Sequence, residues 1–282
     1  MMRTAAVLAA LAAAATLPAQ QLEIHSEFLR VDPHGEILSI DRTPEPREIL
    51  SPALARNAFF SFHVVVRSPR INYFLFAGAN PENAVKTAVY QEEFARHGAD
   101  WVPDALRPVE LPHFAVIPDP QSEAPEQSAR AYLVEVWVPA DATVGRMRLE
   151  IQVKAGGWTV WPMELRILPA VVPSARVRSP QKLPASELRA DEAAMAPLLE
   201  YLGRHGEGPG TAKAAMSAAP TGPPRSLREV IRRNAEQDMA LARTLDPAAL
   251  VPALNAKLAT VGGGEWYLGV RDLIYRMASE GR

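Results

Sequence analysis

Two carboxylates flank a tryptophan in the segment Asp100-Trp101-Val102-Pro103-Asp104. Glycosidases use such paired acids, one to protonate the leaving oxygen and the other to stabilise positive charge on the sugar. Acidic residues near proline also form turns, because Asp side chains accept hydrogen bonds from nearby backbone amides. The sequence therefore predicts that Asp100 and Asp104 lie in a proline-rich loop, either as turn formers or as the acids of a glycan-acting hydrolase.

Tryptophan side chains offer a second kind of chemistry, since outward aromatic rings can stack on sugar rings or pack on a partner protein. The predicted binding residues are Trp101, Trp137, Trp158, Asp100 and Asp104. No residue is assigned a catalytic role. This set predicts a binding surface and not a reaction centre.

Motifs for other reactions are missing from the sequence: it contains no His-Glu-x-x-His, no Gly-x-Ser-x-Gly and no phosphate-binding glycine loop. Arg204-His205-Gly206-Glu207 matches the phosphohistidine motif of histidine phosphatases, but it follows a predicted helix at Leu198–Gly203 and is typical of a helix end. The six histidines never occur at the i, i+3 or i+4 spacing of metal ligands, and His63 is predicted on the outward face of a strand, in a surface or interface role. We predict no metal and no cofactor.

The elements that position these residues belong to a globular protein of 282 residues, of which 48% are apolar and 22% charged. With 26 prolines, the chain must be divided into short elements. Cysteine is absent, which excludes disulfides and thiolate chemistry. A net charge of −2 gives no electrostatic basis for binding nucleic acid.

The first nineteen residues are typical of a secretory signal peptide. Arg3 provides the positive region, an apolar run follows, and Leu17-Pro18-Ala19 resembles a cleavage site. The apolar stretch Thr4–Leu17 is shorter than the ~20 residues that a membrane-spanning helix needs. We therefore expect a periplasmic or secreted protein whose mature chain has no membrane span.

Residues 22–173 alternate between apolar and polar side chains with the period of β-strands. The clearest strands are Ala58–Arg67, Arg130–Val138, Arg146–Lys154 and Trp158–Leu168; weaker ones are Glu23–Val31, Ile37–Ile40, Asn72–Ala77 and His113–Ile117. Eight or nine such strands predict an antiparallel, immunoglobulin-like β-sandwich, making the protein mainly β.

Two segments allow more than one interpretation. Asp32, Glu36 and Asp41 could suggest a calcium loop, but an EF-hand needs oxygen ligands at alternate positions, and Asp32-Pro33-His34-Gly35 favours a type I hairpin turn. Asn80-Pro81-Glu82 resembles a helix start, whereas Val85–Glu93 alternates and favours a strand.

The pattern changes to helical spacing in the last third of the chain. Residues 174–185 are predicted to be a linker and 186–282 an α-helical region, with a flexible, protease-sensitive loop at 206–225. Ser226-Leu227-Arg228-Glu229 is a capping box that starts a helix running to about Thr244. A second helix follows Asp246-Pro247, and a third covers Glu265–Ser279.

The outward side of the sandwich is expected to be covered either by these helices or by an external ligand, and docking of the helices is favoured. Leu133, Trp137, Trp158 and Val160, with Phe59 and Val65, are predicted there, and they form a surface too apolar to be left bare. Truncation after Pro173 should then give an aggregation-prone sandwich, and replacing Trp158 by alanine should lower the melting temperature.

Several motifs resemble a known secreted module. They are Ala55-Arg56-Asn57-Ala58 with the strand ending Val64-Val65-Val66-Arg67, Trp101-Val102-Pro103-Asp104-Ala105-Leu106, and Trp137-Val138-Pro139-Ala140-Asp141-Ala142-Thr143-Val144-Gly145. Ser51–Pro173 is similar to the immunoglobulin-like β-sandwich that precedes the catalytic barrel in some secreted bacterial glycan-degrading proteins. The catalytic acids of that family lie in the barrel, which this sequence lacks, so the resemblance implies no catalytic residue.

Two functional hypotheses follow. The first is an exported non-catalytic module that binds a partner protein of the envelope or an extracellular polysaccharide. The second is the glycan-acting hydrolase that uses loop carboxylates such as Asp100 and Asp104. Binding without turnover would favour the first hypothesis.

Overall fold

The computed structural model describes residues 21–39, 41, 51–82, 84–173, 224–260 and 266–281, in ten strands and three helices. The strands are β1 (Gln21–Ser26), β2 (Ala53–Arg56), β3 (Ala58–Arg67), β4 (Ile71–Asn80), β5 (Lys86–His97), β6 (Asp100–Val109), β7 (His113–Ile117), β8 (Ala129–Val138), β9 (Gly145–Ala155) and β10 (Gly157–Val171). The helices are α1 (Leu227–Ala242), α2 (Pro247–Thr260) and α3 (Trp266–Glu280). The predicted signal peptide, the linker, the 198–203 helix, the Arg204–Glu207 motif and nearly all of the 206–225 loop lie outside the described residues.

The strands form two five-stranded sheets. Sheet 1 has the order β1-β3-β8-β5-β6, and sheet 2 has the order β2-β10-β9-β4-β7. Pairing is antiparallel everywhere except between β2 and β10, which run parallel. The predicted mainly β sandwich followed by C-terminal helices is thus confirmed, with one parallel pair in place of a fully antiparallel arrangement.

The space between the sheets is filled by the faces that alternation marked as inward. Buried side chains of β8, β9 and β10 meet those of β3 and β4 in one apolar core: Phe60, Phe62, Val64, Tyr73, Leu75, Tyr132, Val134, Val136, Val138, Met147, Leu149, Ile151, Val153, Met163, Leu165 and Ile167. Two tyrosine hydroxyls within this core, those of Tyr73 and Tyr132, satisfy each other at 2.7 Å. Period-two alternation therefore predicted the core correctly, because each strand has one face in it.

Helix α1 covers the outer side of sheet 1, α3 packs against α1 and against β10 and β2 at the edge of sheet 2, and α2 packs on α3. Leu133 of β8 and Tyr90 of β5 are buried there against Val230 and Met239 of α1 and Ile274 of α3.

The docking prediction is correct for Leu133 and Phe59, whereas Val65 is covered by Val31 and Ile37 of the segment after β1 and not by a helix. It is wrong for Trp158 and Val160, which remain exposed, because they lie at the start of β10 in sheet 2, whereas α3 reaches β10 near its other end, at Arg166 and Ala170.

The start of α1 is fixed to the edge of sheet 1. The Leu106 amide donates to the Arg225 carbonyl at 2.9 Å, and Ala105 forms a bridge with Ser226. Ser226 Oγ accepts from the Glu229 amide at 3.3 Å, as the capping box predicts, while Glu229 accepts from the Arg225 amide at 2.8 Å and not from that of Ser226. The cap thus joins α1 to Arg225, the residue whose carbonyl accepts from Leu106 of β6.

Three local predictions have clear outcomes. The segment 86–97 is a strand, as the alternation favoured. Asp32–Gly35 is a turn, closed by the Gly35 amide donating to the Asp32 carbonyl at 2.9 Å. The prediction of a loop at Asp100–Asp104 is wrong, because these residues lie in β6. A strand at the edge of a sheet tolerates Pro103, since it does not need every backbone amide for pairing.

Candidate functional site: the aromatic face of sheet 2

The outer side of sheet 2 carries aromatic side chains that the strand register places in one row. Phe114 of β7 is paired with Phe74 of β4, Phe74 with Lys154 of β9, and Lys154 with Trp158 of β10. Phe76 and Val160 occupy the next row, on either side of Gln152. We call Phe74, Phe76, Phe114, Trp158 and Val160 the aromatic face.

These rings contact one another and remain open to solvent. Phe74 is 42%, Phe114 54% and Trp158 53% exposed. Ring centroids are 5.2 Å apart for Phe74 and Phe114, 6.5 Å for Phe74 and Phe76, and 5.2 Å for Phe76 and Trp158. Because strands lie about 4.8 Å apart, the row spans about 14 Å. Contiguous exposed apolar patches are typical of interaction sites, which makes this face the candidate site.

Polar groups on the same side of the sheet lie between and beside the rings. The Lys154 ammonium lies 5.3 Å from the centroid of the Trp158 ring. Along β9, Gln152 donates to Glu150 at 2.7 Å, and Glu150 forms an ion pair with Arg148 at 2.6 Å. The aromatic face thus offers apolar ring faces next to hydrogen-bonding groups, the combination that ligand sites use for affinity and orientation.

The structure does not bring the predicted binding residues together. Only Trp158 belongs to the aromatic face. Trp137 is half-buried in sheet 1, with its ring centroid 4.5 Å from that of Phe59. Trp101 lies near the β5–β6 turn, opposite Arg96, whereas Trp137 lies opposite Lys86. Ten residues of extended strand separate these positions by about 30 Å.

Asp100 and Asp104 are exposed on β6, far from the aromatic face. Four residues of extended strand place their Cα atoms about 13 Å apart. Glycosidase carboxyl groups are separated by ~5–9.5 Å, so Asp100 and Asp104 could act as a catalytic pair only if both side chains leaned towards each other. Asp104 also lies where the β5–β6 register shifts between Glu93 and Phe94, so the backbone there is irregular.

A second cluster of polar residues lies buried between sheet 1 and the helices, and we call it the interface cluster. Its members are Glu27, Ser61, His63, Glu92, Asn234, Asp238, Arg271 and Tyr275. Arg271 donates to Glu27 at 2.7 Å and to Asp238 at 2.8 Å, and the Tyr275 hydroxyl donates to Asp238 at 2.6 Å. Asn234 lies 3.1 Å from the Ser61 hydroxyl. The cluster therefore ties α1 and α3 to β3 and to the segment after β1.

His63 is fully buried in this cluster, which corrects the surface part of its predicted role. Its Nδ1 lies 2.6 Å from Glu92 Oε1, and its Nε2 lies 3.2 Å from the Glu27 carbonyl oxygen. Burial alone would lower the pKa of His63, but attraction and hydrogen bonding from Glu92, supported by Glu27, outweigh burial and raise the pKa. Both ring nitrogens face acceptors, so the doubly protonated ring satisfies both hydrogen bonds.

The interface cluster is a structural element and not a reaction centre. Glu27, Asp238 and Arg271 each have side chains at most 5% exposed, so a substrate cannot reach them. Burial, together with Asp238, raises the pKa of Tyr275 well above its ordinary value, which keeps the phenol protonated as a donor. In the part of the chain that the structure describes, no three His, Asp or Glu side chains form a group that could hold a metal ion.

Sequence reasoning missed most of the aromatic face for a physical reason. In β4 both faces are apolar, since Tyr73 and Leu75 alternate with Phe74 and Phe76, so period-two alternation cannot show which pair points outward. The same ambiguity holds for Phe114 in β7, because the residues that follow it in the strand are also apolar. The interface cluster was missed because it joins residues from distant parts of the sequence. The sequence signals were polar residues on apolar helix stripes: Asn234 and Asp238 in α1, and Arg271 in α3.

No helix in the described ranges is long and apolar enough to cross a bilayer. No family profile matches the sequence, and no curated protein matches it.

Solved structures show weak likenesses. A family 123 glycoside hydrolase from Clostridium perfringens is 12% identical, with a TM-score of 0.39 over 55% of this chain and 28% of that one. A DUF4466 family protein from Parabacteroides merdae is 11% identical, with a TM-score of 0.28 over 53% and 44%. The C-terminal domain of the Streptococcus agalactiae AgI/II polypeptide BspA is 8% identical, with a TM-score of 0.24 over 52% and 50%. The chain thus spans less than a third of the length of the glycoside hydrolase, and likenesses this weak assign it to no family.

Proposed function

We propose that the protein is an exported, non-catalytic module that binds an extracellular polysaccharide through the aromatic face. The observation that carries this proposal is the row of exposed rings at Phe114, Phe74 and Trp158 on an open sheet surface. Sugar rings present apolar C–H faces that pack on aromatic rings, while Gln152 and Lys154 between the rings are placed to bond hydroxyl or charged substituents. The secretory pattern in the first nineteen residues supports an extracellular ligand.

The tilt of the rings favours a single polysaccharide chain over a crystalline surface. Neighbouring ring planes are inclined by 56° for Phe74 and Phe114, 41° for Phe74 and Phe76, and 48° for Phe76 and Trp158. Coplanar rings would match a flat crystal face. Tilted rings on a twisted sheet instead meet successive sugars of a chain that itself twists.

The resemblance of Ser51–Pro173 to the sandwich that precedes glycan-degrading barrels agrees with this proposal. In this interpretation the module retains contact with a glycan and performs no hydrolysis. The separation of Asp100 from Asp104 gives the alternative of a hydrolase no supporting geometry.

The test measures binding of the purified mature chain to a panel of soluble and insoluble polysaccharides by affinity electrophoresis and co-sedimentation. Trp158→Ala and Phe114→Ala should each weaken binding about tenfold or more, equivalent to about 1.4 kcal/mol. Trp101→Ala is the matched control, because its ring lies on the other sheet, and its affinity should equal that of the wild type.

Two results would overturn the proposal. If a folded wild-type chain binds none of the polysaccharides, the proposal is wrong and a partner protein becomes the expected ligand of the aromatic face. If the chain releases reducing ends from a bound polysaccharide, and Asp104→Asn abolishes this release, the module is a hydrolase.

A further inference from the structure

Lys154 lies at the centre of the aromatic row, between Phe74 on one side and Trp158 on the other. Its ammonium is held near the Trp158 ring, at 5.3 Å from the centroid, and its side chain is exposed. A ligand that stacks on Trp158 and Phe74 must therefore pass directly beside this positive charge.

The other charged side chains next to the aromatic face are already neutralised. Arg148 pairs with Glu150 at 2.6 Å, and Arg146 pairs with Glu164 at 3.1 Å. Among the described residues, Lys154 has no carboxylate within ion-pair distance, and it is the cation nearest the rings. Its charge is thus available to a ligand.

The outer side of sheet 2 is positive although the whole chain carries a net charge of −2. The outward positions of β9 and β10 hold four cations and two carboxylates: Arg146, Arg148, Lys154 and Arg166 against Glu150 and Glu164. Arg166 also lies 3.9 Å from Asp272 of α3, so the excess positive charge among the described residues is that of Lys154. The outward positions of β4 and β7 hold no charge. The charge distribution on this side therefore favours an anionic ligand.

From this arrangement we infer that the ligand is an acidic polysaccharide, whose carboxylate or sulfate group binds Lys154 while its sugar rings stack on Trp158 and Phe74. This inference rests on the proposed function of the aromatic face. A neutral chain stacked there offers the ammonium only hydroxyl oxygens, which replace its bound water by hydrogen bonds of similar strength. An anionic substituent replaces that water with a charge-assisted hydrogen bond. The site thus selects acidic over neutral glycans by the added attraction between opposite charges.

The experiment compares polygalacturonate with its carboxyl-reduced, neutral counterpart, and a sulfated galactan with its desulfated form, using the full mature chain. The wild type should bind at least one acidic polymer ten times or more tightly than its neutral partner, and its affinity should fall as salt rises. The pair that shows this preference identifies the anion as carboxylate or sulfate.

Variants separate the role of the charge from that of the rings. Lys154→Gln should abolish the preference for the acidic polymer while leaving affinity for the neutral form within about twofold, and Lys154→Arg should retain most of the preference. Lys86→Gln removes the same charge on the other sheet and is the control, which should match the wild type. Trp158→Ala should weaken binding to both polymers of a pair.

The outcomes distinguish failure of this inference from failure of the proposed function. If the wild type binds acidic and neutral polymers equally, and Trp158→Ala still weakens both, the acidic ligand is excluded and the aromatic face remains a glycan site. If Trp158→Ala leaves binding unchanged, the proposed function itself is wrong, whatever the effect of Lys154→Gln.

Discussion

Replacing Arg271 by methionine should destabilise the whole described fold. The guanidinium of Arg271 donates to Glu27 at 2.7 Å and to Asp238 at 2.8 Å, and these carboxylates are 0% and 2% exposed. Methionine fills a similar volume but removes the Arg271 charge from beside both buried carboxylates. Removing one partner of a buried ion pair costs about 3–5 kcal/mol, because the remaining charge cannot regain its hydration.

The effect is large enough to measure by thermal or urea unfolding of the full chain. For a domain of 150–250 residues, each kcal/mol lowers Tm by about 2–4 °C, so Arg271→Met should lower Tm by about 6–20 °C. Arg276→Met is the matched control on the same helix. Its side chain is 57% exposed and pairs with Asp272 at 2.8 Å, and such surface pairs contribute about 0–1 kcal/mol.

A further variant separates loss of the ion pair from loss of side-chain packing. Glu27→Gln and Asp238→Asn, added to Arg271→Met, remove the buried charges and should restore part of the lost stability. If Arg271→Met lowers Tm no more than Arg276→Met, the interface cluster does not hold the helices on sheet 1. Glycan binding, where folding is retained, should be unaffected, because the aromatic face lies on the other sheet.

Two further predictions concern the stability contributions of two tryptophans and of His63. Trp137→Ala should lower the unfolding free energy by about 2–3 kcal/mol, somewhat less than the ~3–5 kcal/mol of a fully buried ring. Trp158→Ala should change the unfolding free energy by less than about 0.5 kcal/mol, because this side chain is exposed. Equal losses for the two variants in urea titrations would contradict the assignment of Trp137 to the covered sheet and Trp158 to the open one. Because the pKa of His63 is raised in the folded state, its contribution to stability is fully present below its unfolded pKa of about 6.5 and is lost as the pH rises through the raised value. The stability difference between wild type and His63→Gln should therefore shrink from pH 6 to pH 9, and a difference that grows over this range would show that the sign of the shift is wrong.

The loss of stability expected earlier for Trp158→Ala depended on the helices covering that residue. The sequence identified Trp158 as an outward residue correctly. It did not show which of the two sheets contains β10, and the outer sides of two packed sheets face in opposite directions. One layer of helices can cover only one of them, so Leu133 is buried and Trp158 is exposed.

The sequence by itself determined the elements whose signals are local. Alternation in β8, β9 and β10 located both the strands and their buried faces, because in each strand one side is apolar at nearly every position while the other side also carries polar residues. The Ser226 cap located the start of α1, because the serine side chain bonds an amide three residues away. Local hydrogen bonds and period-two burial depend on neighbours in sequence, so both can be derived without knowing the fold.

Only the tertiary structure decided which distant residues meet. The aromatic row depends on the register of four strands, and that register brings Phe114 beside Phe74 and Trp158 beside Lys154. The interface cluster joins Glu27 to Arg271 across 244 positions. Strand pairing and helix docking are set by the sum of many packing contacts, and no short segment encodes that sum. The candidate site therefore became visible only when the two sheets were placed in space.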